Sequence, residues 1–342
     1  MSKNKEWGSD FYYLSGAEYK LQIGSESSDT KFDYLYFSGR AAFRAIILNG
    51  LQQFGWKKIY VPSYYCHEVY GFVADLDIDL EFYSANPFLN EVPNTIKDEK
   101  EMVILLVNYF GLGSPNYGHL KNIFTIEDVT HNLEVINKST AHFVFGSLRK
   151  TLPLPVGGFL QSKIKHEDVK SSFAAENVAL EKLSGMYLKK AYLEGKVQNK
   201  EFYRNLLSEA EKSFADISTF GSMPRFVVDY LCSLNVTQTI EAKRLNSAKL
   251  KKLLRKSSYF DVVSAEDNSE FALVLKFVDK SSRDDLRERL ISKSIFPIIL
   301  WPNQIIPDDQ LVEDTILLLH IDFRYGDDDL KVIANTINDA DI

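Results

Sequence analysis

Between residues 37 and 162, short β-rich runs alternate with segments of helical period, which fits an α/β fold with a mostly parallel sheet covered by helices. The strand candidates are 59–61, 78–83, 102–110, 123–126, 142–145 and 158–160. The run that begins at Met102 is nearly all apolar and is expected to be central in the sheet. After Ser38-Gly39, the apolar residues Phe43, Ile46, Ile47, Leu51 and Phe54 recur at helical spacing, so a helix with one buried face should begin near Arg40. From about 167 to 254 the pattern is helical, broken at Gly221-Ser222-Met223-Pro224. The remainder reads as strand (271–277), helix (282–292), Pro-marked loop (296–307), strand (315–321) and helix (327–337), a small α+β unit. The expected division is an N-terminal arm over 1–30, a large domain over 31–240 and a small C-terminal domain over 241–342.

Composition narrows the partners. The 342 residues are 45% hydrophobic and 25% charged, as in ordinary soluble globular proteins, and the net charge of -7 argues against non-specific binding to nucleic acid or anionic membranes. Only Cys66 and Cys232 occur, so there is neither a disulfide framework nor a CxxC metal pair. The first ten residues lack an apolar signal core, and no apolar stretch is long enough to span a bilayer, so a cytoplasmic location is expected. The sequons at Asn137 and Asn235 are then chance matches.

Ligands in open α/β sheets sit beyond the carboxyl ends of the strands, here 62–67, 108–111, 128–131 and 147–150. Lys150 follows an apolar strand and precedes the paired glycines Gly157-Gly158, a setting suited to Schiff-base chemistry. A basic pair at a strand end is more often simply solvated, but Ser147 and the two glycines weigh against that here. Burial, or charge from Arg149 or Arg40, would lower its proton affinity. Asp128 ends another apolar run, where a carboxylate can keep the ring nitrogen of pyridoxal phosphate protonated; on position alone an Asp so placed is more often a helix N-cap. His131, one helical turn on, could bond the phenolic oxygen of that ring, or simply pack. Ser38, Gly39, Arg40 and Ala41 at a helix start, with the Ser147 hydroxyl, are candidates for the phosphate. Tyr65 and Cys66 lead the candidates for stacking on the pyridine. No dinucleotide fingerprint, Walker loop, HExxH or GxSxG occurs, and Cys66-His67 with His131 matches no common zinc spacing, so no metal is expected.

Taken in order, these pieces resemble the DegT/StrS group of fold-type-I pyridoxal-phosphate aminotransferases acting on nucleotide-linked keto sugars. Ser38-Gly39-Arg40-Ala41-Ala42 resembles its phosphate segment, Val61 to Cys66 its tyrosine-bearing strand end, and Asn108-Tyr109-Phe110-Gly111 a glycine turn. Ile126 to His131 resembles the segment holding the ring-nitrogen carboxylate, and Ser147 to Gly158 the lysine region. Ser222-Met223-Pro224, Arg244-Leu245-Asn246, Trp301-Pro302 and Asp322 to Tyr325 extend the likeness through most of the chain, as in a divergent branch. The resemblance implies a mostly parallel, seven-stranded-type sheet with a smaller α+β C-terminal domain, and a homodimer with active sites at the subunit interface. It also implies Lys150 as the Schiff-base lysine, Asp128 as the ring-nitrogen partner and His131 beside the phenolic oxygen. Glutamate would be the amino donor, a keto-sugar nucleotide the acceptor, and surface polysaccharide or a related glycan the destination. The chain departs from the pattern at Arg40, where Thr or Ser is usual, at His131, where Gln is common, and at Pro153-Leu154-Pro155-Val156, which replaces a polar stretch. Some relatives carry His in place of the lysine and dehydrate sugars; Lys150 argues against that outcome. Another pyridoxal-phosphate reaction, such as elimination, and a catalytically degenerate scaffold stand as the other readings.

Overall fold

The computed structural model describes residues 5–8, 10–23, 31–167, 169–267 and 269–340, so parts of the expected N-terminal arm (1–4, 9 and 24–30) lie outside the described residues. Helix α1 (Gly16–Ile23) and strand β1 (Tyr34–Tyr36) lead to helix α2 (Gly39–Phe54), one residue ahead of the expected start. Ser38 begins α2 by accepting a hydrogen bond from the Ala41 amide at 3.1 Å, and Gly55, at φ 62°, ends it.

Strand β2 (Lys58–Pro62), helix α3 (His67–Gly71) and strands β3 (Asp79–Tyr83), β4 (Met102–Val107), β5 (Phe124–Asp128), β6 (Phe143–Ser147) and β7 (Gly158–Ser162) complete a seven-stranded sheet in the order β1-β7-β6-β5-β4-β2-β3. Strands β2 to β6 run parallel, while β7 is antiparallel to both its neighbours, β6 and β1. The sheet is thus mostly parallel, as the alternation of runs implied. Strand β4 is interior, flanked by β2 and β5, but the middle strand is β5. Apolarity reports burial on both faces, which β4 has from Val103 to Leu106, and does not fix rank within the sheet. The strand also stops at Val107: Phe110 takes a positive φ of 55° in a short 3-10 turn over Tyr109–Gly111.

The helical stretch resolves into α4 (Phe173–Leu193), α5 (Glu201–Ser213), α6 (Arg225–Leu231) and α7 (Val236–Leu253); the last runs straight through residue 241. Beyond it lie β8 (Phe260–Val263), β9 (Ala272–Phe277), α8 (Lys280–Ser292), α9 (Pro307–Thr315), β10 (Ile316–His320) and α10 (Asp327–Asn338). Strands β10, β9 and β8 form an antiparallel sheet, and Leu273, Leu275 and Leu317 pack with Leu286, Leu290 and Ile333 of α8 and α10. Proline 307, expected in a loop, is the first residue of α9, where its missing N–H has no helical partner to lose. Among the described residues no helix is long and apolar enough to cross a membrane.

One contact fixes how the two halves of the large sheet's ligand edge meet. A Cβ built on Gly158 would lie 2.2 Å from both the carbonyl carbon and the oxygen of Ser38, so β7 and the start of α2 touch backbone to backbone. Gly158→Ala should therefore destabilise the protein by about 2–3 kcal/mol or more, since neither backbone can yield as a side chain would. Gly71→Ala, where a Cβ meets nothing within 4 Å, should stay within about 0.5 kcal/mol in the same urea titration.

Candidate active site

The carboxyl ends of β2, β4, β5 and β6 open into one cavity of about 500 Å³, a size that suits a small organic ligand. Ser38, Gly39, Arg40, Tyr65, Cys66, Asp128, His131, Ser147 and Lys150 all line it. Ala41 does not: it is fully buried in α2, and its N–H is taken by Ser38. The opposite wall comes from the C-terminal part of the chain, through Phe271 and the loop bearing Leu300, Trp301 and Asn303.

Lys150 sits in a 3-10 turn just past β6; the residue is exposed, and it lines the cavity. Its Nζ has no hydrogen bond or ion pair among the described residues. The adjacent Arg149 charge, and then burial, lower its pKa to about 8, against an opposing pull from Glu211. Arg40, the other expected source of charge, is instead ion-paired with Glu68 across the cavity wall.

Asp128 is 7% exposed. Its Oδ1 accepts from the Thr130 amide at 2.8 Å and its Oδ2 from the Tyr65 hydroxyl. Burial pushes this carboxyl upward while the two donors pull it back. No α-helix follows it; the chain turns into a short 3-10 segment, Leu133–Val135, begun by Asn132. Asp128 therefore caps only a local turn, with one oxygen, and the expectation of a helix-capping Asp with His131 one helical turn on gives way to this turn. Tyr65 is buried and held by Asp128, so its hydroxyl supports the carboxylate. Cys66 heads α3, its thiol raised by burial and partly offset by the charges of Arg40 and Lys150.

His131 is fixed by its neighbours. Its Nδ1 accepts from the Phe110 amide at 3.1 Å, which leaves the ring proton of the neutral imidazole on Nε2. The positive φ of Phe110 and of Gly111, 55° and 81°, accompanies this approach of the β4–β5 loop. Trp301 and Phe110 lie nearly parallel to the imidazole, with centroids at 5.6 and 5.8 Å, and Phe271 is at 4.6 Å. Burial and the charges of Lys150 and Lys243 hold its pKa at about 3, so the ring is neutral. Thr130 ties the ends of β5 and β6 together: its amide donates to Asp128, and its Oγ1 accepts from the Ser147 amide at 3.0 Å. The Ser147 hydroxyl donates weakly to the Gly157 carbonyl, at 3.4 Å.

Several residues of this wall carried no local signal. Phe271, Glu211 and Phe214 line the cavity from distant parts of the chain, and Trp301, whose segment joined the family likeness, gave no hint of its place against His131. Asn108 does carry one: it ends an apolar strand, its Nδ2 donates to Ser114 at 3.1 Å, and its buried Oδ1 has no partner among the described residues.

Solved structures share this architecture over nearly the whole chain. The sugar aminotransferase CalS13 of Micromonospora echinospora superposes with a TM-score of 0.54 at 12% identity, covering 96% of this chain and 93% of that one. A DegT DnrJ EryC1 StrS aminotransferase of Brucella abortus gives 0.57 at 15%, covering 96% and 90%. The chain has their fold. A third, the E. coli GDP-4-keto-6-deoxy-D-mannose-3-dehydratase with bound hydrated PLP, gives 0.58 at 12%, covering 94% and 90%. No family model matches the sequence, and no curated protein does.

The buried imidazole has a measurable cost in acid. An unfolded histidine takes its proton near pH 6.5, whereas folded His131 takes it only at about 3, so between these values the unfolded state binds more protons. Its contribution to stability is complete above that window and is lost as pH falls through it, by up to about 1.4 kcal/mol per pH unit. Urea unfolding at pH 7, 6 and 5 should show a flatter decline for His131→Gln than for the unaltered chain.

Proposed function

We propose that this chain is a pyridoxal-phosphate-dependent aminotransferase that moves an amino group from an amino acid, with glutamate as donor, to the keto group of a nucleotide-linked sugar. The observation that carries the reading is the meeting, in one cavity, of a buried carboxylate and an amine with a pKa lowered to about 8 and no partner among the described residues. The shared fold with named sugar aminotransferases supports it.

The donor set fits the cofactor. Pyridoxal phosphate, when bound, supplies an aldehyde that bonds covalently to amines and a protonated ring that draws electrons from the carbon next to that bond. Lys150 would hold it covalently and afterwards move the proton between substrate carbon and cofactor carbon. Asp128, steadied by Tyr65 and Thr130, would keep the ring nitrogen protonated. His131 would offer its Nε2 proton to the phenolic oxygen, and the unpartnered Asn108 Oδ1 would accept from a polar group of the ligand. The phosphate would lie at Ser38, Gly39 and Arg40, with Ser147 close by; the Ala41 amide is already spent on Ser38. Trp301 and Phe271 would bound the substrate side.

We further infer a homodimer, a cytoplasmic location and a place in surface polysaccharide or related glycan synthesis; these rest on the family resemblance. Lys150 disfavours the dehydration that relatives with histidine in its place carry out.

Loaded with pyridoxal phosphate, the purified protein should absorb in the visible, and glutamate should bleach that band by converting the cofactor to its amine form. Borohydride should fix the cofactor on the peptide containing Lys150, and Lys150→Ala should leave none fixed; a label retained elsewhere in that variant would overturn the assignment. Because Glu68 occupies Arg40, Glu68→Gln should strengthen the binding of inorganic phosphate several-fold in calorimetric titration, and Arg40→Met should abolish it.

A further inference from the structure

Two cations share one carboxylate on the wall beside Lys150. Arg149 donates to both oxygens of Glu211, from Nη1 at 3.2 Å and Nη2 at 2.6 Å, and Lys182 donates to the same group. The Arg149 guanidinium also lies 4.1 Å from the centre of the Phe214 ring, and the Lys182 Nζ 5.0 Å from it. Glu211 and Lys182 belong to the paired helices α5 and α4, and Phe214 follows α5 directly. The Arg149 and Lys182 side chains are only 10% and 6% exposed, so neither charge is screened as a surface charge would be. A planar guanidinium held by a carboxylate fork and an aromatic face has little freedom to turn away from its sequence neighbour.

We propose that Arg149, clamped by Glu211 and Phe214, is a positioning residue that raises the share of uncharged, nucleophilic Lys150 amine near physiological pH, so that the α4–α5 pair governs the reactive amine from the cavity wall. The proposal rests on the reading of Lys150 as the nucleophile and adds what makes it one. The other groups on this wall do not supply the effect. Asp10 of the N-terminal segment pulls the opposite way, Lys182 contributes less than Arg149, and Arg40 of α2 is neutralised by Glu68 of α3. Cys66 on α3 and His131 after β5 are both held uncharged. Asp128 of β5 is engaged by Tyr65 and Thr130, and His320 of β10, which meets the Lys150 carbonyl at 3.1 Å, is also held uncharged.

The test needs no cofactor. Acetic anhydride labelling of the cofactor-free protein, followed across pH 6 to 11 by mass spectrometry of the Lys150 peptide, gives the titration midpoint of this amine directly. Arg149→Met should raise the midpoint by about one unit or more, cutting labelling at pH 7.5 by about tenfold, whereas Arg149→Lys, which keeps the charge, should restore most of it. If Arg149→Met does not fold, Arg149→Gln is titrated in its place. A midpoint unmoved in the folded, charge-removed variant, or lowered by it, overturns the proposal. Because Lys150 is titrated without cofactor, failure of the protein to bind pyridoxal phosphate would count against the proposed function and leave this result standing.

Discussion

A lysine amine with no acid to pair with, beside a second fixed positive charge, gives up its proton more easily than a free one. Lys150 is placed in this way, and its pKa falls to about 8. Its neighbour Arg149 holds the available carboxylate, Glu211, and the fold places the lysine against a cavity instead of against an acid. The rest of the site is consistent with that choice. Asp128 is kept apart by its own donors, Tyr65 and Thr130, and His131 is kept neutral, so no group near the amine restores its proton affinity except Glu211 and Asp10.

Much of the framework was legible because periodicity is a local property. The alternation of runs located β2 to β7 to within a few residues, and the apolar stripe of Phe43, Ile46 and Ile47 located α2. What escaped were elements too short or too polar to make a pattern. Strand β1 has three residues, α3 has five, and α9 begins at a proline in a stretch rich in Asp and Gln. The overlong reading of β4 has a similar cause: Tyr109 and Phe110 are apolar and buried, but they are so in a turn, where the positive φ of Phe110 was not visible.

The site divides along the same line. Residues that follow strands fall in the cavity because topology alone brings strand ends together, and that could be read from order in the chain. How those residues are engaged could not, since engagement depends on partners far away. Tyr65 and Asp128 are 63 positions apart, Arg149 and Glu211 are 62 apart, and the Trp301 ring reaches His131 across 170 residues. A sequence gives no register between such segments, so Tyr65 looked like a stacking ring and Arg40 like a free charge, while each is committed to a carboxylate.

The reversed direction of β7 shapes the segment that bears the lysine. A parallel strand beside β6 would have sent the chain through a crossover to the far edge of the sheet before it could return. Because β7 runs backward, Ser147 pairs with Gly158, and everything between them is a closed excursion that leaves and re-enters at one rim. Lys150 is thus carried on a loop tethered at both feet, and the distance its amine can travel is set by that short span, whatever the helices around it do.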